Sequence, residues 1–169
     1  DRSGRGDAGL VDLGSGDGVA GVAEDRTGTG ADDVGGVDAD AAGVPLAHKD
    51  MFDRKGKISS WGARIRAEQP AAQDATVIAR FKAAGALQIA ALHLTEFAFG
   101  PTGHNYVLGH ARNPWDPTRI TGGSSAGTGC AVAYGAIAAG MGSDTGGSLR
   151  LPAAACGIAS IKPTWGRVS

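Results

Sequence analysis

Residues 122–150 read GGSSAGTGCAVAYGAIAAGMGSDTGGSLR. Two Gly-Gly-Ser triplets, ending at Ser124 and Ser148, stand 24 residues apart with a run of small side chains between them. A helix built of such residues buries little apolar area of its own, so it must pack very close to a neighbour, most naturally a sheet. Ser125 is the candidate N-cap of this helix, which the pattern carries to Ala139. Two readings of the triplets follow. They are flexible loops around a tightly packed helix, or their serines meet in space and share a proton.

The flanking sequence supplies the sheet. VPLAHKDMF (44–52) is a short apolar run ending in His48, Lys49 and Asp50, as expected of a buried strand. PAAQDATVIARFKAAGAL (70–87) reads as a helix with Pro70 early, Val77, Ile78, Phe81 and Ala84 on one face, and Gly85 at its end. ALQIAALHL (86–94) is a second strand and GMGSD (140–144) a third. LRLPAAACG (149–157) reads as a short helix ended by Gly157, and IASIKPT (158–164) as a last strand. A long Gly/Pro-rich loop covers 99–123, and a loop of that length is functional or well packed. Strands alternating with helices predict an α/β layered domain.

The first 43 residues differ from the rest. They hold 12 Gly, 9 Asp, 7 Ala, 5 Val and 1 Glu, with no Lys, Ile, Met or aromatic residue. Their net charge is −7, against +6 for the remaining 126 residues and −1 for the whole chain. Without periodicity or apolar volume, this stretch is expected to be poorly ordered. All five residue types have codons beginning with G, and they fill 34 of the 43 positions. The segment is therefore read either as an acidic low-complexity tail or as out-of-frame translation resuming near Gly43. GSGDG and DADAAG within it lack the spacing and closing Glu of a calcium loop. The overall charge gives no sign of a nucleic-acid or anionic-membrane partner on bulk electrostatics. No run of about 18 apolar residues suggests a membrane span, and no signal peptide is visible. Cys130 and Cys156 lack metal spacing and read as buried free thiols, consistent with a cytoplasmic protein needing no metal or cofactor.

A serine hydroxyl needs a base to become a nucleophile. Gly123-Ser124-Ser125-Ala126-Gly127 matches the G-x-S-x-G elbow of Ser-His-Asp hydrolases. That motif should follow a strand directly and precede its histidine. Here a Gly/Pro loop precedes it, and no histidine follows His110. The other base is a lysine made neutral by burial, which can lower its proton affinity by several units. Lys49, ending an apolar strand, is the best-placed candidate and Lys162 the runner-up.

GGSSAG, followed by GSDTGGSLRLPAAACGIASIKPTWGRVS, resembles the amidase signature family, as do GVPLAHKDMF and LHLTEFAFGPTGHN. The resemblance runs from about Gly43 to Ser169. It implies a mixed sheet flanked by helices, of which this chain carries only an N-terminal portion. Two domains are expected on that basis, the acidic segment 1–42 and the partial family domain 43–169. It also implies a Ser-cisSer-Lys triad. Ser148 aligns with the nucleophile, Ser124 with the bridging serine after a cis peptide bond, and Lys49 with the base. The backbone N–H groups of Thr145, Gly146, Gly147 and Ser148 resemble the oxyanion hole. Ser125 matches a position that hydrogen-bonds near the triad, and Asp144 and Arg150 flank the nucleophile as a brace.

The sequence departs from the family at Ala126 and Ser160, where glycine is common, and it is far shorter than the family's domain. Three expectations follow. One is a hydrolase cleaving the C–N bond of a small-molecule amide substrate through an acyl-enzyme. The next is the amidase component of a tRNA-dependent amidotransferase, working with partner subunits and making no direct contact with nucleic acid. The last is a truncated fragment without catalysis.

Overall fold

The computed structural model describes residues 22–24, 41–66 and 68–168. Of the acidic segment, only 22–24 and 41–42 fall within this range. The expectation of poor order, the first calcium-loop look-alike, the acidic half of the second and the question of reading frame lie outside the described residues.

Four strands form one sheet in the order β1-β3-β2-β4. They are β1 (Val22–Glu24), β2 (Pro45–Lys49), β3 (Leu87–Leu92) and β4 (Ala139–Met141). β2 runs parallel to both β3 and β4, whereas β1 pairs antiparallel to β3. Helices α1 (Thr76–Ala83), α2 (Ala126–Ala133) and α3 (Arg150–Cys156) complete the regular structure. Parallel neighbours need crossover connections, and α1 lies in the connection from β2 to β3 while α2 lies in that from β3 to β4. The domain is α/β, as the alternation predicts.

Along β2 successive side chains alternate between faces. Ala47 packs with Ala90, Leu92, Ala131 and Ile137 in the core that seats α2 on the sheet. Lys49, two residues on, therefore points to the α2 face. His48 points the other way and bonds Gln88 Oε1 through Nδ1 at 3.1 Å. A second apolar cluster, Ala111, Ala126, Cys130 and Cys156, joins α2 to α3.

The small residues of α2 have specific neighbours. The Gly127 N–H donates to the His93 carbonyl at 2.9 Å. A Cβ on Gly127 would lie 2.5 Å from His93 N and 2.7 Å from His93 O. These are backbone atoms just past β3 and cannot swing aside. A Gly127→Ala substitution gains about 1 kcal/mol of helix propensity. It loses about 1–3 kcal/mol to overpacking and strains a hydrogen bond worth about 1 kcal/mol. The expected result is a net destabilisation of about 2 kcal/mol in denaturant unfolding, and a stabilised variant would show that α2 does not sit this close.

The structure corrects three boundaries. α1 begins at Thr76, not at Pro70, because Pro70 and Ala71 form bridges to Ile58 and Lys55. α2 stops at Ala133 and not Ala139. Gly135 takes φ +79°, and the Gly135 and Ala136 N–H groups turn back to the Val132 and Ala131 carbonyls. That is a Schellman ending, which a left-handed glycine permits. Residues 158–164 form no strand. No ladder partner faces them among the described residues, and Ile161 is exposed. The expected ends of α3 hold, with Gly157 in the left-handed region as its cap.

The long loop is ordered by two buried amides. Asn105 Nδ2 donates to the Gly62 and Leu94 carbonyls, and its Oδ1 accepts from the Val107 and Leu108 N–H groups. Asn113 Nδ2 donates to the Ile120 and Ala155 carbonyls, fastening the loop to α3. Each amide replaces the ladder that this segment lacks.

Candidate active site

Lys49 ends β2 with its side chain fully enclosed, at 0 % exposure. Its Nζ donates to Ser124 Oγ at 2.7 Å and to Ser143 Oγ at 2.8 Å. Burial pushes the amine down to about 7, and the nearby Asp144 carboxylate works against that fall. A lysine of this kind is a base at neutral pH, which an exposed lysine is not. Lys162 is exposed, with Nζ on the Pro163 carbonyl, and plays no part here.

Ser124 and Ser125 lie at the mouth of α2 and are both fully buried. The Gly123–Ser124 peptide bond is cis. The Ser124 carbonyl accepts from the Thr95 N–H at 3.1 Å. A Cβ on Gly123 would lie 2.7 Å from both Gly100 O and Gly103 N, so only glycine fits before Ser124. Ser125 occupies the N-cap position, but its hydroxyl caps nothing. It donates instead to the Ser143 carbonyl and accepts from the Ser143 N–H, each at 3.2 Å.

The second Gly-Gly-Ser turn reaches the first through main chain. The Ser125 N–H donates to the Ser148 carbonyl at 3.1 Å. The half-buried Ser148 hydroxyl makes no hydrogen bond with Ser124 among the described residues. Asp144 organises the turn. Its carboxylate accepts from the backbone N–H groups of Gly147, Leu149 and Arg150. Arg150 grips it with two further bonds of 3.0 Å. Asp144 is 2 % exposed and Arg150 58 %. The Arg150 guanidinium, helped by the three N–H donors, holds the carboxyl well below the usual carboxylate range. These bonds tie the turn after β4 to the start of α3.

Of the four N–H groups singled out as oxyanion donors, that of Gly147 is taken by Asp144. Those of Thr145, Gly146 and Ser148 donate to nothing among the described residues. None of the four histidines bonds Ser124, Ser125 or Ser148 among the described residues. His48 is held to Gln88, His93 Nε2 meets the Gly109 carbonyl, and His110 sits beside His104 and Asn105. A Ser-His arrangement is thus not assembled. Cys130 and Cys156 are buried and free. No group of three potential metal-ligating His, Cys, Asp or Glu side chains occurs among the described residues, and no described helix is long and apolar enough to cross a membrane.

Sequence reasoning passes over Ser143. Its only signal is its place in GMGSDTGGS, just beyond β4 and five residues before Ser148. An apolar groove of about 660 Å³ opens beside it, walled in part by Phe52, Met141, Leu149, Ile158 and Trp165. Ser125, Ser143 and Asp144 border this groove, while Ser124 and Ser148 lie outside its lining.

Comparison with known proteins gives a consistent picture. The model of the family described as Amidase matches residues 27–169. The chain is 48 % identical over 128 residues to a glutamyl-tRNA(Gln) amidotransferase subunit of Bordetella avium, covering 76 % of this chain and 25 % of that protein. The crystal structure of the corresponding protein from Thermotoga maritima superposes with a TM-score of 0.65 at 38 % identity, over 72 % of this chain and 28 % of that one. The structure of 6-aminohexanoate cyclic dimer hydrolase complexed with substrate gives a TM-score of 0.66 at 34 % identity, over 69 % and 25 %. The chain spans about a quarter of the length of the relatives it matches.

Proposed function

The chain belongs to the amidase family, and on that footing we propose that it carries the nucleophilic machinery of an amide hydrolase, with Ser148 as nucleophile, Ser124 as proton bridge and Lys49 as base. The observation that carries this reading is the enclosed Lys49 amine, 2.7 Å from Ser124 Oγ and depressed to about 7. A buried lysine without a paired carboxylate is costly, and general-base duty is a reason to keep one.

Neutral Lys49 takes the Ser124 proton as Ser124 takes that of Ser148, and Ser148 Oγ attacks the amide carbonyl. The tetrahedral oxyanion is met by the free N–H groups of Thr145, Gly146 and Ser148. The proton returns through Ser124 to the departing nitrogen, the C–N bond breaks, and an acyl-enzyme remains on Ser148. Water, activated along the same path, then releases the carboxylate. Metal and redox cofactor have no step in this sequence.

A second reading is supported by the 48 % identity to a glutamyl-tRNA(Gln) amidotransferase subunit. In that reading the same chemistry frees ammonia from glutamine for partner subunits. The free thiols Cys130 and Cys156 fit a reducing cytoplasm in either case. Ammonia release from simple aliphatic carboxamides and from glutamine tests both readings. Release from the carboxamide by the chain alone supports the hydrolase. Release from glutamine only when partner subunits and charged tRNA are added supports the amidotransferase. Release under neither condition overturns both and leaves a fragment without catalysis.

A further inference from the structure

We infer that Ser143 is a positioning residue that aims the lone pair of Lys49 at Ser124, an inference that deepens the function proposed above and rests on it. A neutral lysine has two N–H bonds and one lone pair. Lys49 Nζ is sealed from solvent, and among the described residues it has two hydroxyls in reach, Ser124 at 2.7 Å and Ser143 at 2.8 Å. Accepting the Ser124 proton requires the lone pair to face Ser124. An N–H given to Ser143 leaves it facing that way. Without the Ser143 hydroxyl the amine can rotate and offer Ser124 an N–H, which cannot accept a proton.

Ser143 is itself fixed. Both of its main-chain polar groups are held by one side chain, Ser125 Oγ, across 18 residues of sequence. This clamp ties the segment after β4 to the mouth of α2, the two elements that must hold a constant distance from Lys49. Ser125 thus acts on the base through Ser143, which gives its hydroxyl a use beyond the unused N-cap.

The hydroxyl also bears on the proton affinity of the amine. Protonated Lys49 gives N–H bonds to both serines, so Ser143 favours the charged form. The charged group facing the amine is Asp144, which acts in the same direction. α2 and β4 present no charged side chain to it. On β2 itself, His48 is turned to Gln88, and Asp50, just beyond, is bonded to Ser60.

The test compares Ser143→Thr with Ser143→Val, which share a shape and differ in the hydroxyl. The midpoint of the Lys49 titration is followed by NMR of the ¹³Cε nucleus in the 169-residue chain, and fluorophosphonate labelling of Ser148 is timed alongside. Threonine is expected to keep the wild-type midpoint and labelling rate. Valine is expected to lower the midpoint by about one unit and slow labelling about tenfold or more. If valine prevents folding, Ser143→Ala replaces it. A midpoint and rate that ignore the hydroxyl, with labelling intact in the wild type, overturn the role of Ser143 and leave the proposed function standing. A midpoint that follows the hydroxyl in a chain that never labels does the reverse: Ser143 positions Lys49, and Ser148 is not the nucleophile.

Discussion

Replacing Ser148 with alanine is expected to abolish fluorophosphonate labelling and to lower amide turnover by about four to six orders of magnitude, with unchanged stability. The size of the loss follows from covalent catalysis. Without the nucleophile no acyl-enzyme forms, and the base and oxyanion donors have only water to assist. The unchanged stability follows from what Ser148 does structurally. Its contact with α2 is made by its main-chain carbonyl, which accepts from the Ser125 N–H, and alanine keeps that group. Its half-buried hydroxyl makes no hydrogen bond among the described residues, so its removal leaves no orphaned partner. Substitutions away from such features stay within about 0.5 kcal/mol. Labelling is followed by intact-protein mass, and stability by thermal unfolding. A variant that still labels at the wild-type rate removes Ser148 from the mechanism. A variant that loses labelling together with its cooperative transition assigns Ser148 to the fold.

Local pattern makes much of this architecture legible, and non-local packing decides the rest. β2, β3, β4 and α3 lie where apolar runs and glycine stops place them, because each is bounded by residues that act on their own backbone. Gly157 does so at the end of α3 and Gly85 just after α1. The overrun of α2 passes over a local stop, Gly135, and the other two errors fall where a residue's role depends on a distant partner. Pro70 looks like a helix start, yet its segment is drawn into bridges with Lys55 and Ile58. Residues 158–164 look like a strand, but a strand needs a ladder. The site divides in the same way. Lys49, Ser124 and Ser148 stand in recognisable motifs. Ser143 reaches Lys49 across 94 residues of sequence, and nothing local distinguishes it from a serine that merely ends a strand. Asp144 is visible in the sequence as one half of a charged pair. Its three backbone acceptor bonds, which shape the turn around Ser148 and consume the Gly147 N–H, are not.

Lys49→Met should abolish labelling and at the same time make the protein harder to unfold. Methionine nearly matches the lysine stem in volume, so the enclosed site is refilled without a large cavity. The ammonium, by contrast, is held where burial opposes charge. Its affinity for a proton falls from 10.5 to about 7 on folding, which corresponds to a penalty of order 5 kcal/mol for the charged form. The sign follows from proton binding. Between about pH 7 and 10.5 the unfolded chain binds the lysine proton and the folded chain does not, so wild-type stability rises with pH across that window. Below pH 7 both states are protonated and the full penalty applies. The methionine variant has no such group. It is therefore expected to exceed the wild type by a few kcal/mol below pH 7, less about 1–2 kcal/mol for the lost bonds to Ser124 and Ser143, with its advantage shrinking as pH rises towards 10. Wild-type labelling should show the complementary profile, rising through pH 7 as Lys49 becomes neutral. Denaturant unfolding of both proteins across this range checks the stability difference. An advantage for methionine that stays constant from pH 7 to 10 would mean that the folded and unfolded chains bind the Lys49 proton alike and that burial does not depress the amine, and a less stable methionine variant at every pH would mean that the lysine is kept for structure. The expected pattern, function lost and stability gained at one position, is the signature of a buried base retained for chemistry.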